Sequence, residues 1–147
     1  MNTILVVCVG NICRSPVAEG LLKAQLPEKT IWSAGLGALV GHAADPLAQE
    51  IAAAHGVDIS GHRAQQITSW LCTQADLILV METAHKRELE SLYPFARGKV
   101  RCLGDTGNDA LFEVADPYRQ GRSAFETAHA AIERGVAHWA GLLRRIG

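Results

Sequence analysis

The sequence has no surplus of basic charge. Fourteen Lys and Arg stand against 15 Asp and Glu, for a formal net charge of −1, whereas a nucleic-acid-binding surface ordinarily shows as a basic excess. An acidic or phosphorylated partner must then be met by local charge. The chain also lacks any CxxC pair. Its four cysteines, Cys8, Cys13, Cys72 and Cys102, show no metal-like clustering with histidine, so a zinc module is not expected and the chain reads as reduced and cytoplasmic. No long hydrophobic run is present at the start: Ile4 to Val9 has no basic region before it and stops at Gly10-Asn11. That is too short for a signal peptide or a membrane span. Internal repeats and low-complexity segments are absent as well. At 147 residues and 48% hydrophobic, the chain can bury one real core, and residues 1–147 are expected to form a single domain.

The informative stretch is Cys8-Val9-Gly10-Asn11-Ile12-Cys13-Arg14-Ser15, between an apolar run and a helix-like run beginning at Pro16. Turn-prone Gly10 and Asn11 let successive backbone N–H groups of residues 9–15 point at one ligand, and the following helix adds the positive end of its dipole. Arg14 offers parallel donors to phosphate oxygens. Cys8, at the strand end, would face the same centre as a thiolate, which the surrounding donors favour. The pattern is that of a nucleophile inside a phosphate cradle.

Along the chain, Thr3 to Cys8 reads as a buried strand and Pro16 to Leu26 as a helix with Val17, Ala18, Leu21, Leu22 and Leu26 on one face. Thr30 to Ala34 is a short strand. Asp45-Pro46 reads as an N-cap and first-turn proline, with Leu47, Ile51 and Ala54 at helical spacing and Gly56 as the stop. Thr68 to Thr73 suits a short helix, Asp76 to Met81 an apolar strand, Thr83 to Leu92 a helix, and Lys99 to Leu103 a fourth strand. A long loop from Gly104 to Arg122, with Gly107, Asn108 and Asp116-Pro117-Tyr118, precedes an amphipathic helix through Phe125, Ile132, Trp139 and Ile146. Trp32, Trp70 and Trp139 are taken as packing residues. Alternating strands and helices predict an α/β fold of three layers, with a central four-stranded parallel sheet and helices on both faces. Ligands in such sheets sit beyond the carboxyl ends of the strands, where Cys8 ends the first.

Cys8, five residues, then Arg14 and Ser15 in the first strand-to-helix turn resemble the low-molecular-weight protein tyrosine phosphatases. Ser33-Ala34-Gly35, Gly61-His62-Arg63-Ala64 and Asp116-Pro117-Tyr118 follow in the family's order. The resemblance implies that Cys8 is the nucleophile, Arg14 the phosphate clamp and Asp116 the general acid, with Asn11, Ser15, Ser33 and His62 supporting the loop. It puts Tyr118 and Leu39, within Gly35 to Gly41, on the substrate cleft. Small aliphatics in that loop, and Arg119 after Tyr118 where eukaryotic members usually have a second aromatic, resemble the bacterial subgroup associated with exopolysaccharide and capsule tyrosine kinases. An autophosphorylating kinase of that kind is the partner so implied. Gln65 stands where many members have Arg.

Competing readings exist for single residues. A free cysteine is commonly a small buried hydrophobe, and Asp45-Pro46 is a second Asp-Pro pair, although Asp45 has an ordinary capping position. The other five histidines show no ligand spacing, and neither metal nor cofactor is expected. Three alternatives share parts of the pattern. An arsenate reductase of the same fold needs two closely placed redox cysteines, and Cys72 and Cys102 lie far apart. A phosphocysteine carrier of sugar transport would not require Asp116, and a noncatalytic phosphotyrosine-binding module would not turn over. Cys13 is additionally a candidate to trap an oxidised Cys8 as a disulfide.

Overall fold

The computed structural model describes residues 1–107 and 111–146, so Asn108 and Asp109 of the long loop lie outside the described residues. The chain runs β1 (Thr3–Cys8), α1 (Arg14–Gln25), β2 (Thr30–Gly35), α2 (Pro46–Ala54), α3 (Ser69–Gln74), β3 (Leu77–Val80), α4 (Thr83–Leu92), a 3-10 helix (Pro94–Lys99), β4 (Val100–Cys102) and α5 (Arg122–Ile146). The four strands form one parallel sheet in the order β2-β1-β3-β4.

Strand β1 is central because it is apolar on both faces. Ile4, Leu5, Val6 and Val7 are fully buried, and their alternation divides them between two cores. Ile4 and Val6 join Leu77, Leu79, Val17, Leu22, Ile132 and Trp139 on one side, while Leu5 and Val7 join Ile78, Val80, Leu71 and Leu89 on the other. Full burial of such side chains stabilises the fold by about 1.5–3 kcal/mol each. Helices α1, α2 and α5 cover the first face, with α1 packed on both α2 and α5.

After β2 the order reverses across β1, so the carboxyl edge of β1 opens beside β3 at a switch point of the sheet. Cys8 is the last residue of β1 and pairs in register with Gly35. A side chain at Gly35 would collide with the Val9 carbonyl. Glycine there lets the segment after β2 lie directly against the loop after β1.

Local differences from the sequence reading have plain causes. Helix α1 begins at Arg14 rather than Pro16, because first-turn N–H groups have no intrahelical acceptor and proline is tolerated there. Helix α2 buries Ala48, Ile51 and Ala52 while Ala54 is exposed. Asp45 caps it by accepting from Leu47 N at 2.9 Å, and Gly56 follows with φ of 81°. Trp70 is 59% exposed and stacks on Trp32, so it is a surface residue and not a core one. Trp139 is buried and donates from Nε1 to the Leu103 carbonyl. Among the described residues, no helix is long and apolar enough to cross a membrane.

Candidate active site

The loop between β1 and α1 is held by its carbonyls. The oxygens of Cys8, Val9, Gly10 and Ile12 accept from the backbone N–H groups of Leu36, Gly37, Leu39 and Asp45 at 2.8–3.1 Å. That of Asn11 accepts from His62 Nε2 at 2.6 Å. Five successive carbonyls therefore face outward. Because each peptide is planar and trans, the N–H of the following residue points the opposite way, so those of residues 9–13 face the interior of the curl. Helix α1 continues this arrangement: its N-cap, Cys13, supplies no side-chain cap bond, leaving first-turn N–H groups for an anion.

One residue sets the curvature. Asn11 has φ of 59°, in a region that asparagine tolerates better than most residues. Its side chain is completely buried. Nδ2 donates to Ser15 Oγ at 2.7 Å and Ser33 Oγ at 3.0 Å, and Oδ1 accepts from Gln65 N at 2.9 Å. Ser33 in turn donates to Glu19 Oε1 at 2.5 Å. Ser15 Oγ lies 2.9 Å from Cys8 Sγ, and toward a thiolate, which can only accept, its hydroxyl donates. The carbonyl of Asn11 can only accept, so His62 carries a proton on Nε2, with Nδ1 3.9 Å from Glu19 Oε1.

Arg14 is 2% exposed. Nη1 donates to Glu82 Oε2 at 2.5 Å and to the Val114 carbonyl at 2.7 Å. Nε is buried without a partner among the described residues, and Nη2 lies 3.9 Å from Asp116 Oδ2. The far corner of the guanidinium is thus fixed while the Nε–Nη2 edge, the side that grips two oxygens of one anion, is uncommitted.

Asp116 is half exposed at the cleft mouth, its Oδ1 accepting from Tyr118 N at 3.0 Å. Arg119 follows with φ of 62° and lies over the Tyr118 ring. Cys8, Val9, Gly10, Ile12, Cys13, Arg14, Gly37, Leu39, Asp116 and Tyr118 line one cleft of about 200 Å³. Apolar side walls above a floor of phosphate donors suit an aryl phosphate.

The sequence matches the family described as low molecular weight phosphotyrosine protein phosphatase over residues 3–146. The chain belongs to that family. It is 52% identical to the probable low molecular weight protein-tyrosine-phosphatase EpsP of Ralstonia nicotianae, over all of this chain and 99% of that one. The structure of Vibrio vulnificus Wzb in complex with benzylphosphonate superposes with a TM-score of 0.91 at 46% identity, covering 95% of this chain and 97% of the other. An arginine phosphatase, YwlE of Geobacillus stearothermophilus, gives a TM-score of 0.92 at 29% identity, covering 99% and 94%.

In this phosphatase-family chain the structure brings Cys8, Arg14, Asp116, Leu39 and Tyr118 to one cleft, with Asn11, Ser15, Ser33 and His62 bonded around its floor. Three contributors have no local sequence signal. Glu82 orients Arg14, Glu19 anchors Ser33, and Gln65 holds Asn11 through its backbone while its Nε2 donates to the Ser33 carbonyl. Asp105, another acid of the long loop, pairs with Arg101 at 3.1 Å and does not line the cleft.

Behind Arg14 sits His85, 6% exposed, with Nε2 3.5 Å from Glu82. Burial, and then the Arg14 guanidinium, hold its imidazole below the ordinary 6.5, against the opposing pull of Glu82, Glu88 and Glu113. The unfolded chain therefore binds this proton more readily. The stability involved is full above pH 6.5 and is lost as the pH falls from there through the lower folded value. His129 is also held below 6.5, by burial and then by His55, and adds to the dependence in the same direction. The expected result is that wild-type unfolding free energy declines below pH 6.5 and that His85→Gln declines less. Equal slopes in urea titrations of the two proteins would remove His85 from that dependence.

Proposed function

We propose that the protein is a protein-tyrosine phosphatase that hydrolyses phosphotyrosine through a phosphocysteine. The outward-bonded carbonyls of the β1–α1 loop carry this reading, because they commit its N–H groups to one anion directly above Cys8. Cys8 attacks phosphorus in line as the thiolate, while the loop and the free edge of Arg14 hold the equatorial oxygens in the transition state. Asp116 donates a proton to the leaving phenolate, which is a poor leaving group with a phenol pKa of about 10. The same carboxylate then accepts a proton from the water that attacks phosphocysteine, and Ser15 Oγ donates to the departing sulfur. Purified protein should release phosphate from a phosphotyrosine peptide without added metal, and not from its phosphoserine counterpart. Preference for phosphoarginine instead would move the protein toward the chemistry of the YwlE relative, and no turnover would reduce it to a binding module.

The physiological substrate we infer is a bacterial tyrosine kinase of polysaccharide production with a phosphorylated tyrosine-rich tail. Leu39, 38% exposed, and the aliphatic 35–41 segment support it, since a flexible tail can present a phosphorylated ring between them and Tyr118. Persistence of phosphotyrosine on such a kinase from the same organism after incubation would count against it.

Cys13 has a protective part in this reading. It lines the cleft with Cys8, and burial, with Asp45, Asp116 and Cys8 adding to it, pushes its thiol up to about 12. It rests as a thiol while Cys8 reacts. Peroxide converts Cys8 to a sulfenic acid, and Cys13 sulfur displaces water from it to form a disulfide that added thiol reduces. After peroxide and then thiol, wild type should regain activity and Cys13→Ser should regain less. Equal recovery would exclude Cys13.

A further inference from the structure

On the face of the molecule built by α2 and α5, three side chains converge that take no part in the phosphate cleft. His129 and Glu133 stand one turn apart on α5. His55, the C-cap residue of α2, lies across from them. Glu133 Oε1 is 3.5 Å from His129 Nε2 and 3.9 Å from His55 Nε2, and one ligand atom from each residue falls within 4.8 Å of the others. His55 is remote in the chain and joins the pair only through the packing of α2 on α5.

Two observations separate this group from a chance meeting of polar residues. His129 is 4% exposed, yet among the described residues neither of its ring nitrogens has a hydrogen-bond partner. A buried imidazole with neither nitrogen satisfied is costly unless a ligand completes it. His55 Nδ1 lies 2.9 Å from the Ile51 carbonyl, which can only accept. The proton is therefore on Nδ1, and Nε2, 3.9 Å from Glu133 Oε1, carries the free lone pair. Fixing the tautomer through the other ring nitrogen is how proteins orient a metal-binding histidine.

The surroundings favour a cation. The open cleft over the group is lined by Glu50 and Glu126 as well as Glu133. The cation on that wall, Arg122, is already paired with both Glu50 and Glu126. Tetrahedral zinc with ligands at about 2.0–2.1 Å requires ligand atoms separated by about 3.3 Å, so binding turns the two imidazoles, whose centroids lie 4.2 Å apart at an interplanar angle of 31°, until their lone pairs meet at one ion. We propose that His55, His129 and Glu133 bind one divalent ion of the zinc class, with water from the cleft in the fourth position. Nitrogen and carboxylate ligands together select such an ion over magnesium or calcium, which prefer all-oxygen sites. Because the ligands come from two helices, the ion clamps α2 to α5 and stabilises the folded chain by mass action.

Cys8 and Cys13 could also capture zinc, so the test uses Cys8→Ser/Cys13→Ser protein as the parent. Zinc is titrated against a chromophoric chelator, and cobalt is added in parallel to read coordination from its visible absorption. The parent is expected to bind one ion per chain, to show the intense absorption of tetrahedral cobalt, and to melt at a higher temperature with zinc. His55→Gln and Glu133→Gln replace half-exposed side chains and should fold. Each should weaken binding at least about tenfold, as loss of even an indirect ligand support does. No binding by the parent, or binding unchanged in both variants, overturns the site.

Discussion

Replacing Cys8 by serine is expected to abolish turnover while leaving phosphate bound. The side chain is 2% exposed at the end of β1, and sulfur and oxygen are close enough in size for the fold to persist. The cradle is made elsewhere: its carbonyl anchors lie on residues 36–45 and His62, and its guanidinium is held by Glu82 and Val114. None of these depends on the sulfur. Inorganic phosphate should therefore inhibit or bind the variant within a few-fold of wild type. A serine hydroxyl has no thiolate character at neutral pH, so hydrolysis should fall by on the order of 10⁴-fold or more, as when other covalent nucleophiles are removed. Retention of more than a few per cent of the rate would assign the attack to another group.

The second large effect belongs to Asp116, and it should depend on the phenol released. For tyrosine-like phenols, loss of the acid should slow the first chemical step by about 10² to 10⁴-fold. For a nitrophenol-like group the loss should shrink, because that phenolate leaves unaided. Asp116→Asn is the sharper variant, since its side-chain oxygen can still accept from Tyr118 N as Asp116 Oδ1 does. It keeps the corner and removes only the proton. Asp45→Ala should instead lose about 0.5–2 kcal/mol of stability, through the cap to Leu47 N, with little leaving-group dependence. Burst kinetics are required, because breakdown of phosphocysteine can hide the first step in steady turnover. Equal slowing across the phenol series would remove Asp116 as the acid.

The parts that were legible in the sequence are those written locally. The unbroken apolar run of β1, the Asp45-Pro46 start of α2 and the three-to-four spacing of α5 each follow from neighbours in the chain. That the sheet is parallel follows from strands with intervening helices, whereas its order β2-β1-β3-β4 is set by pairing between elements distant in the chain. What escaped is non-local. The loop carbonyls are anchored by backbone N–H groups of residues 36–45, and every residue but proline has one, so no residue type advertises the role. Glu82 looks like an ordinary residue at a helix start, yet it fixes Arg14 from 68 positions away. His129 and Glu133 carried their one-turn spacing in the sequence, but without His55 it reads as a solvated helix face. Trp70 packs, but on Trp32 at the surface, a placement that its sequence does not distinguish from one in the core.

The central claim is that the β1–α1 loop holds phosphate while Cys8 takes it. Acid quenching of the first turnover with a phosphotyrosine peptide, followed by mass spectrometry of the digested protein, tests it most directly. The expected result is one phosphoryl group on Cys8 in wild type, formed as tyrosine is released and lost as free phosphate appears, with no label anywhere in Cys8→Ser. Tyrosine release with no phosphoryl-enzyme at any quench time, or label on His62 or another residue, would contradict it.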